Sequence, residues 1–356
     1  RPAIIAGLAL VLMETLADYG TVAYFGVPTL STGIYRTWFG LGDAMAAAQL
    51  AGVLLLAMVV LLTLERRARK ERRISVASAR AAAPLPLGRG PGLLLAAALW
   101  LPVLLGFILP ALQLLVWSLP RWRDLAEPGF LGLLGTSLLI ALCTALAATG
   151  LGLLLIWARR LRGDRPRRLA AGLAGFGYAV PGTVLAVGVV LVLASLDRGL
   201  NNLLASVGLP EPGLLFSGTL FAVVFACTVR FLTIPIQGLD AGLQNLSPNL
   251  DNAARSLGTA SLPMLRRVHL PLLRVPLATS ALLVFVDTLK ELPAALVLRP
   301  FNTNTLAVRA FELASDERLA DAALPALTIL LAGVAPVILL TRSIRNPHQE
   351  SPHADH

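Results

Sequence analysis

Apolar residues run on along this chain without the every-second-residue alternation of a half-buried strand, and short polar segments rich in Arg separate the runs. A helix needs about 20 apolar residues to cross the hydrocarbon of a bilayer, where only helices and closed barrels satisfy their backbone groups. The pattern predicts an all-α membrane protein, a polytopic helical bundle with eight spans at residues 3–26, 44–64, 92–117, 131–157, 169–196, 214–236, 276–298 and 321–341. Composition agrees. Of 356 residues, 56% are hydrophobic and 14% charged, and the mean hydropathy of +0.75 is too high for a soluble domain of this length.

Short loops facing the cytoplasm collect Lys and Arg. The Arg-rich runs at 66–73 and 159–168, with Arg255, Arg266, Arg267 and Arg274, fall on one side; the sparser Arg36, Arg121, Arg123, Arg198, Arg299, Arg309 and Arg318 fall on the other. Both ends are therefore expected in the cytoplasm, with the chain in a bacterial inner membrane. This topology explains the net charge of +10, because no basic run is interleaved with aromatic residues as a nucleic-acid-binding module requires. The basic segment at 65–91, which turns rich in Ala, Pro and Gly, reads as a linker lying on an anionic leaflet. Cys143 and Cys227 sit inside apolar runs and imply no disulfide framework.

The chain also repeats itself at an offset of 273 residues. Arg1 matches Arg274, Glu14-Thr15-Leu16 matches Asp287-Thr288-Leu289, Asp18 matches Glu291, Thr32 matches Thr305 and Arg36 matches Arg309. The last two spans thus have partners in the first two. Four more spans and a polar loop precede the repeated part of the second copy, so the expectation is a C-terminal piece of a longer fused protein. Residues 1–64 would close an incomplete first half, 92–342 would form a complete second half, and 343–356 are a polar tail.

The polar loop at 247–271 has its own local logic. Ser247 is placed to cap a short helix, Pro248 suits its first position, and Asp251 lies in the first turn, where the helix dipole favours an anion. Gly258 can supply the left-handed residue that ends it. The small Ala253 and Ala254 leave room for a partner's groove.

The order of residues in this loop is Asn252-Ala253-Ala254, three residues, Gly258, nine residues, then Val268-His269-Leu270-Pro271. It resembles the EAA loop on which bacterial ABC importer permeases receive their ATPase. With Met13-Glu14-Thr15-Leu16-Ala17-Asp18-Tyr19-Gly20 and the segment from Phe25 to Arg36, the chain resembles the fused ferric iron importers of the binding-protein-dependent ABC permease family. Thiamine, phosphonate and polyamine relatives share the fold and much of the loop. The resemblance implies a MetI-like fold and a permease that translocates ferric iron handed over by a periplasmic binding protein. It further implies two ATPase subunits, which hold the ATP and Mg and dock through Asp251, Asn252, Ala253, Ala254, Arg255, Gly258, Leu270 and Pro271. Asn252 departs from the family, which has Glu there.

Charges inside the spans are the other informative set, since one near the bilayer centre costs about 2.5–3.5 kcal/mol on insertion scales. Glu14 and Asp18 share a helix face, as do Asp287 and Glu291, with Lys290 beside them. Two readings are open: the carboxylates meet across a translocation pathway, or they pair within the bundle, with Lys290 neutralising Asp287 or Glu291. Tyr178-Ala179-Val180-Pro181-Gly182 interrupts a span, so that Pro181 and Gly182 either line that pathway or only bend a packed helix. Arg230 is expected to snorkel to the interface or cap a helix end.

Searches for chemistry come out negative. Neither lysine, Lys70 or Lys290, follows a glycine, so no phosphate-binding P-loop exists, and no H-E-x-x-H is present. His348, His353 and His356 belong to the polar tail rather than to a metal site. The chain is thus expected to bind no cofactor and to be no enzyme. An ion-coupled secondary transporter is the alternative of another class, because buried Asp and Glu also serve proton or sodium coupling.

Overall fold

The computed structural model describes residues 2–70, 88–161, 164–244 and 246–345, and every regular element among them is helical. The first predicted span divides at once. Helix α1 (Pro2–Ala17) stops before Asp18-Tyr19, α2 (Gly20–Tyr24) follows, and α3 (Leu30–Tyr35) begins after Thr29. Thr29 starts α3 by a reciprocal cap, its hydroxyl accepting from the Thr32 N–H while the Thr32 hydroxyl accepts from the Thr29 N–H. A π turn at Arg36–Gly40 leads to α4 (Ala44–Lys70), which carries the helix into the basic segment; residues 71–87 of that segment fall outside the described residues, as does the tail after 345.

Helix α5 (Arg89–Val103) passes through a π turn into α6 (Leu109–Ser118). No residue of α5 is buried, and Leu93, Leu94 and Trp100 point outward. Next comes α7 (Pro128–Leu161), the longest helix described, with proline at its first position and none inside. Its buried residues are Ser137, Ile140, Ala141, Thr144, Ala145, Ala148, Thr149, Gly152 and Ile156, a single stripe at helical spacing made mostly of small side chains. Such a stripe lets neighbouring backbones approach closely in a membrane.

The remaining spans are interrupted, each for a local reason. Helix α8 (Arg165–Ala174) is capped by Asp164 and separated from α9 (Gly182–Ser206) by a glycine-rich stretch ending at Pro181. The predicted span at 214–236 starts late. The buried Asp197 of α9 gathers the Leu215 and Phe216 N–H groups at 3.1 and 3.0 Å and the Ser217 N–H at 2.8 Å, holding them in a loop. Helix α10 (Leu220–Phe231) then meets α11 (Thr233–Gln244) at a bend of 42°. Pro235, in the first turn of α11, has no N–H to continue the ladder.

After α12 (Pro248–Ser256), α13 (Ser261–Met264), a π turn and α14 (Leu270–Leu272), the chain turns through 76° into α15 (Arg274–Leu289). Then follow α16 (Pro293–Leu298), α17 (Leu306–Ser315) and α18 (Leu319–Arg345). Among the described residues, five helices are long and apolar enough to cross a membrane, or seven if each bent pair is one span. The first of the eight expected spans is the one missing from this count, because α1 has 16 residues and ends at Ala17, before the break at Asp18-Tyr19. The repeat is visible in the backbone: α2 and α16 restart at Gly20 and Pro293, which are 273 residues apart, each just after a break.

One core forms around α7, where Ile140, Ala145 and Ala148 meet Ala186, Val223, Phe231, Val284 and Leu298. A smaller cluster of Ile34, Ala51, Leu54, Val184 and Val187 seats α3 and α4 on α9. Helices α7 and α11 approach closely at Gly152, where an added Cβ would lie 2.9 Å from the Pro235 Cβ. Gly152→Val should therefore overpack the α7–α11 contact and lower stability by about 1–3 kcal/mol. Thermal unfolding of the purified permease in detergent measures this; an unchanged midpoint would show that the two helices are free to separate.

Candidate functional site

The loop at 247–271 folds as its residues dictate. The Ser247 hydroxyl accepts the Asn249 N–H at 3.2 Å to start α12. At the other end Gly258 has φ +73°, the Gly258 N–H donates to the Arg255 carbonyl at 2.9 Å, and the Thr259 N–H donates to the Ala254 carbonyl at 3.0 Å. This is the Schellman arrangement, which requires a left-handed residue after the helix.

Burial divides the helix into two faces. Asn252, Ala253, Arg255, Leu257 and Gly258 are exposed, whereas Asp251 and Ala254 are buried against the rest of the protein. Ala254 therefore does not offer room to a partner, as the sequence suggested; its small size serves internal packing. Leu257 is 85% exposed and, with Leu250 and Leu262, makes an apolar outer surface. Leu270 is half-buried and Pro271 exposed on the strand of chain that leads into α15.

Asp251 is not a free first-turn anion but the centre of a buried polar cluster. One oxygen accepts Arg160 Nε at 2.8 Å and the other faces His269 Nε2 at 2.9 Å. Arg160 also donates to the Leu243 and Leu246 carbonyls at 2.7 and 3.2 Å, capping the end of α11, while the adjacent Arg159 pairs with Asp240 of α11. Burial raises the Asp251 carboxyl, but hydrogen bonds from Arg160 and His269 outweigh it and hold the group below the ordinary aspartate range. Neither Arg160 nor His269 was singled out from sequence. The available signal was a pair of arginines closing a long apolar run, and the single histidine outside the tail.

Inside the bundle, two cavities lie between the repeated copies. A cavity of about 1160 Å³ lies among α1, α4, α11 and α15, lined by Met13, Tyr178, Gln237, Thr279, Ser280 and Asp287 among others. A second, of about 510 Å³, holds Glu14, Asp18, Asp287, Lys290 and Glu291 together with Arg230. Tyr178 and Asp287 belong to both walls, and the Tyr178 hydroxyl donates to Glu14 at 2.7 Å.

The carboxylates do several jobs here. Asp18 accepts the Thr21 N–H at 3.2 Å and Glu291 accepts the Ala294 N–H at 3.1 Å, so that each caps the restarted helix of its own copy. Lys290 pairs with Asp287 at 3.0 Å. Arg230 does not snorkel; its side chain is 11% exposed and reaches both oxygens of Glu291 at 2.7 and 2.6 Å. Pro181 and Gly182 are buried and line neither cavity. Gly182 instead makes space for the pair, since a Cβ there would fall 2.6 Å from Glu291 Oε1. Among the described residues, no cluster of three His, Cys, Asp or Glu has the geometry of a metal site.

A helical membrane bundle with cavities between repeated elements, and a capped short helix at one end, defines a transport permease. Residues 148–346 match the family of binding-protein-dependent transport system inner membrane components, and the chain belongs to that family. It is a membrane-spanning permease subunit of an ABC importer, not an enzyme. It is 25% identical over 350 residues to the Fe(3+)-transport system permease protein FbpB 2 of Haemophilus influenzae, which covers 96% of this chain and 66% of that relative, so the chain spans about two thirds of the relative's length. It is 26% identical over 248 residues to PhnV of Salmonella typhi, named for 2-aminoethylphosphonate transport, covering 66% of this chain and 88% of the relative. In structure it resembles a bacterial ABC transporter that imports alginate, with a TM-score of 0.56 at 15% identity over 72% of this chain and 95% of that one. The MetI-like permease fold follows.

Two outcomes test the loop. Open space surrounds the position of a Gly258 Cβ, so Gly258→Ala should suffer only the left-handed backbone penalty of about 1 kcal/mol or more. Transport should fall while membrane insertion is unchanged, whereas the exposed Asn252→Ala should be mild; equal uptake in both variants would make the Gly258 cap dispensable. The depressed Asp251 carboxyl stabilises the fold above its unfolded value of about 3.9 and loses that contribution as pH falls through the folded value. The stability advantage of the native chain over Asp251→Asn should accordingly shrink as pH falls below about 4, as thermal unfolding across pH will show.

Proposed function

We propose that this chain carries a small cation, ferric iron, across a bacterial inner membrane, receiving it from a periplasmic binding protein. Both chain ends lie in the cytoplasm, where two ATPase subunits dock on α12 and its exposed neighbours Ala253, Leu257 and Gly258. The ATP and Mg belong to those partners. The observation that carries this reading is the smaller cavity, where four carboxylates face two cations and both cations are already paired. An acidic passage repels a phosphonate and suits a cation. Oxygen donors without a fixed coordination cage suit transit better than storage, since conduction needs sites weak enough to leave. Ferric iron among cations is supported by the likeness to an iron-transport permease over nearly the whole chain.

The variants that test this must spare the fold. Glu291→Gln would leave Arg230 buried and unpaired, which costs about 3–5 kcal/mol, so loss of transport there would be uninformative. Glu14→Gln keeps an acceptor for Tyr178 and Asp18→Asn keeps one for Thr21. Both should insert and assemble normally, yet lower uptake of labelled ferric iron in vesicles by about tenfold or more. Undiminished iron uptake in the double variant, or uptake of 2-aminoethylphosphonate and not iron by the native permease, would overturn the assignment.

A further inference from the structure

We propose that Arg160 is the positioning residue that makes the docking helix move as one body with α7, so that events at α12 reach the cavity. The inference rests on the reading of α12 as the ATPase-docking element and extends it inward.

The argument is one of connectivity. A helix of nine residues, α12, is too short to hold an orientation by itself, and its outer face is exposed. What fixes it is its inner face. There a single guanidinium grips the Asp251 carboxylate of α12 and, with its other nitrogens, the Leu243 and Leu246 carbonyls where α11 ends. Its planar fork supplies donors in fixed directions, which a lysine does not. His269, 1% exposed, closes the other side of Asp251 from the π turn that leads into α15. Two segments of chain, the end of α7 and the π turn before α15, thus converge on one carboxylate of α12. The adjacent Arg159 pairs with Asp240 of α11, which doubles the tie between the end of α7 and α11.

The tie runs to the passage. Helix α7 buries its small-residue stripe, with Gly152 against Pro235 of α11 and Ala145 and Ala148 in one cluster with Val284 of α15. Helices α11 and α15 supply Gln237, Gly238, Thr279, Ser280 and Asp287 to the cavity wall. A displacement of α12 is therefore transmitted through Arg160 to the two helices that shape the cavity, and without Arg160 the Asp251 side chain would keep only its His269 contact and lose its tie to α7. Exposed ion pairs contribute little; this one is buried, charge-assisted and shared with backbone carbonyls, which places it among the stronger kind.

The test uses the complete permease reconstituted in vesicles with its ATPase and its loaded binding protein, reading ATP hydrolysis and substrate uptake together. Arg160→Ala should still copurify with the ATPase and still hydrolyse ATP, while uptake per ATP falls about tenfold. Arg160→Lys, which reaches the carboxylate but not both carbonyls, should recover part of that loss. Asp251→Asn should uncouple similarly, and the double variant should be no worse than either single one, because both remove one link. If Arg160→Ala does not assemble, Asp251→Asn, which keeps the side-chain size, carries the test. Native uptake per ATP in the single variants, or additive losses in the double one, would overturn the proposal. If the unmutated complex binds no ATPase at all, the docking reading falls instead.

Discussion

A helix that breaks inside hydrocarbon leaves backbone N–H groups that lipid will never satisfy, and polar side chains at breaks in this bundle answer that constraint. Where α1 gives way to α2, Asp18 accepts from Thr21; where α15 gives way to α16, Glu291 accepts from Ala294. Where α8 gives way to α9, the Thr233 hydroxyl of α11 accepts the Tyr178 N–H at 3.1 Å. Each cap has further consequences. The charge on Glu291 brings Arg230 into the interior, the pair needs space beside α9, and that space exists because residue 182 is a glycine. One break thus fixes a carboxylate, its counter-ion and a glycine from three separate stretches of sequence.

The same economy of polar groups governs the end that carries α12. The last carbonyls of α11 lack helical partners, as at any C-terminus, and a guanidinium from α7 takes that of Leu243, together with the Leu246 carbonyl just beyond the helix, while holding Asp251. Capping and anchoring are one interaction.

What was legible in the sequence follows from which interactions are local. The helical class, the Ser247 cap, the Gly258 stop and the paired positions of the repeat depend on neighbours a few residues away or on periodicity, and their residues state them directly. Span boundaries were less legible, because a run such as 276–298 is apolar on both sides of Asp287, Lys290 and Glu291, and only the tertiary fold shows that the helix stops there and restarts at Pro293. Long-range partners were not legible at all. Arg160 and Asp251 lie 91 residues apart, and Tyr178 and Glu14 lie 164 apart. Ala254 was assigned to the wrong face for a related reason: a nine-residue helix presents both faces with small residues, and only packing decides which one turns inward.

The two copies are matched in sequence but not in charge balance, and this bears on how a cation would pass. In the second copy Glu291 is neutralised by Arg230 and Asp287 by Lys290. In the first copy Glu14 meets a tyrosine hydroxyl and Asp18 a backbone N–H, and no described cation pairs with either. A hydrogen bond leaves a carboxylate its charge, whereas an ion pair cancels most of its field at a distance. Among the described residues, the carboxylates without a salt bridge therefore sit on the α1 side of the cavity, opposite a wall that is nearly neutral. A cation entering the cavity would be drawn to one wall and not clasped between two, which favours brief contact over tight binding. The repeat supplies the geometry of a symmetric passage, and Lys290, whose place in the first copy is taken by Ala17, neutralises one wall and not the other.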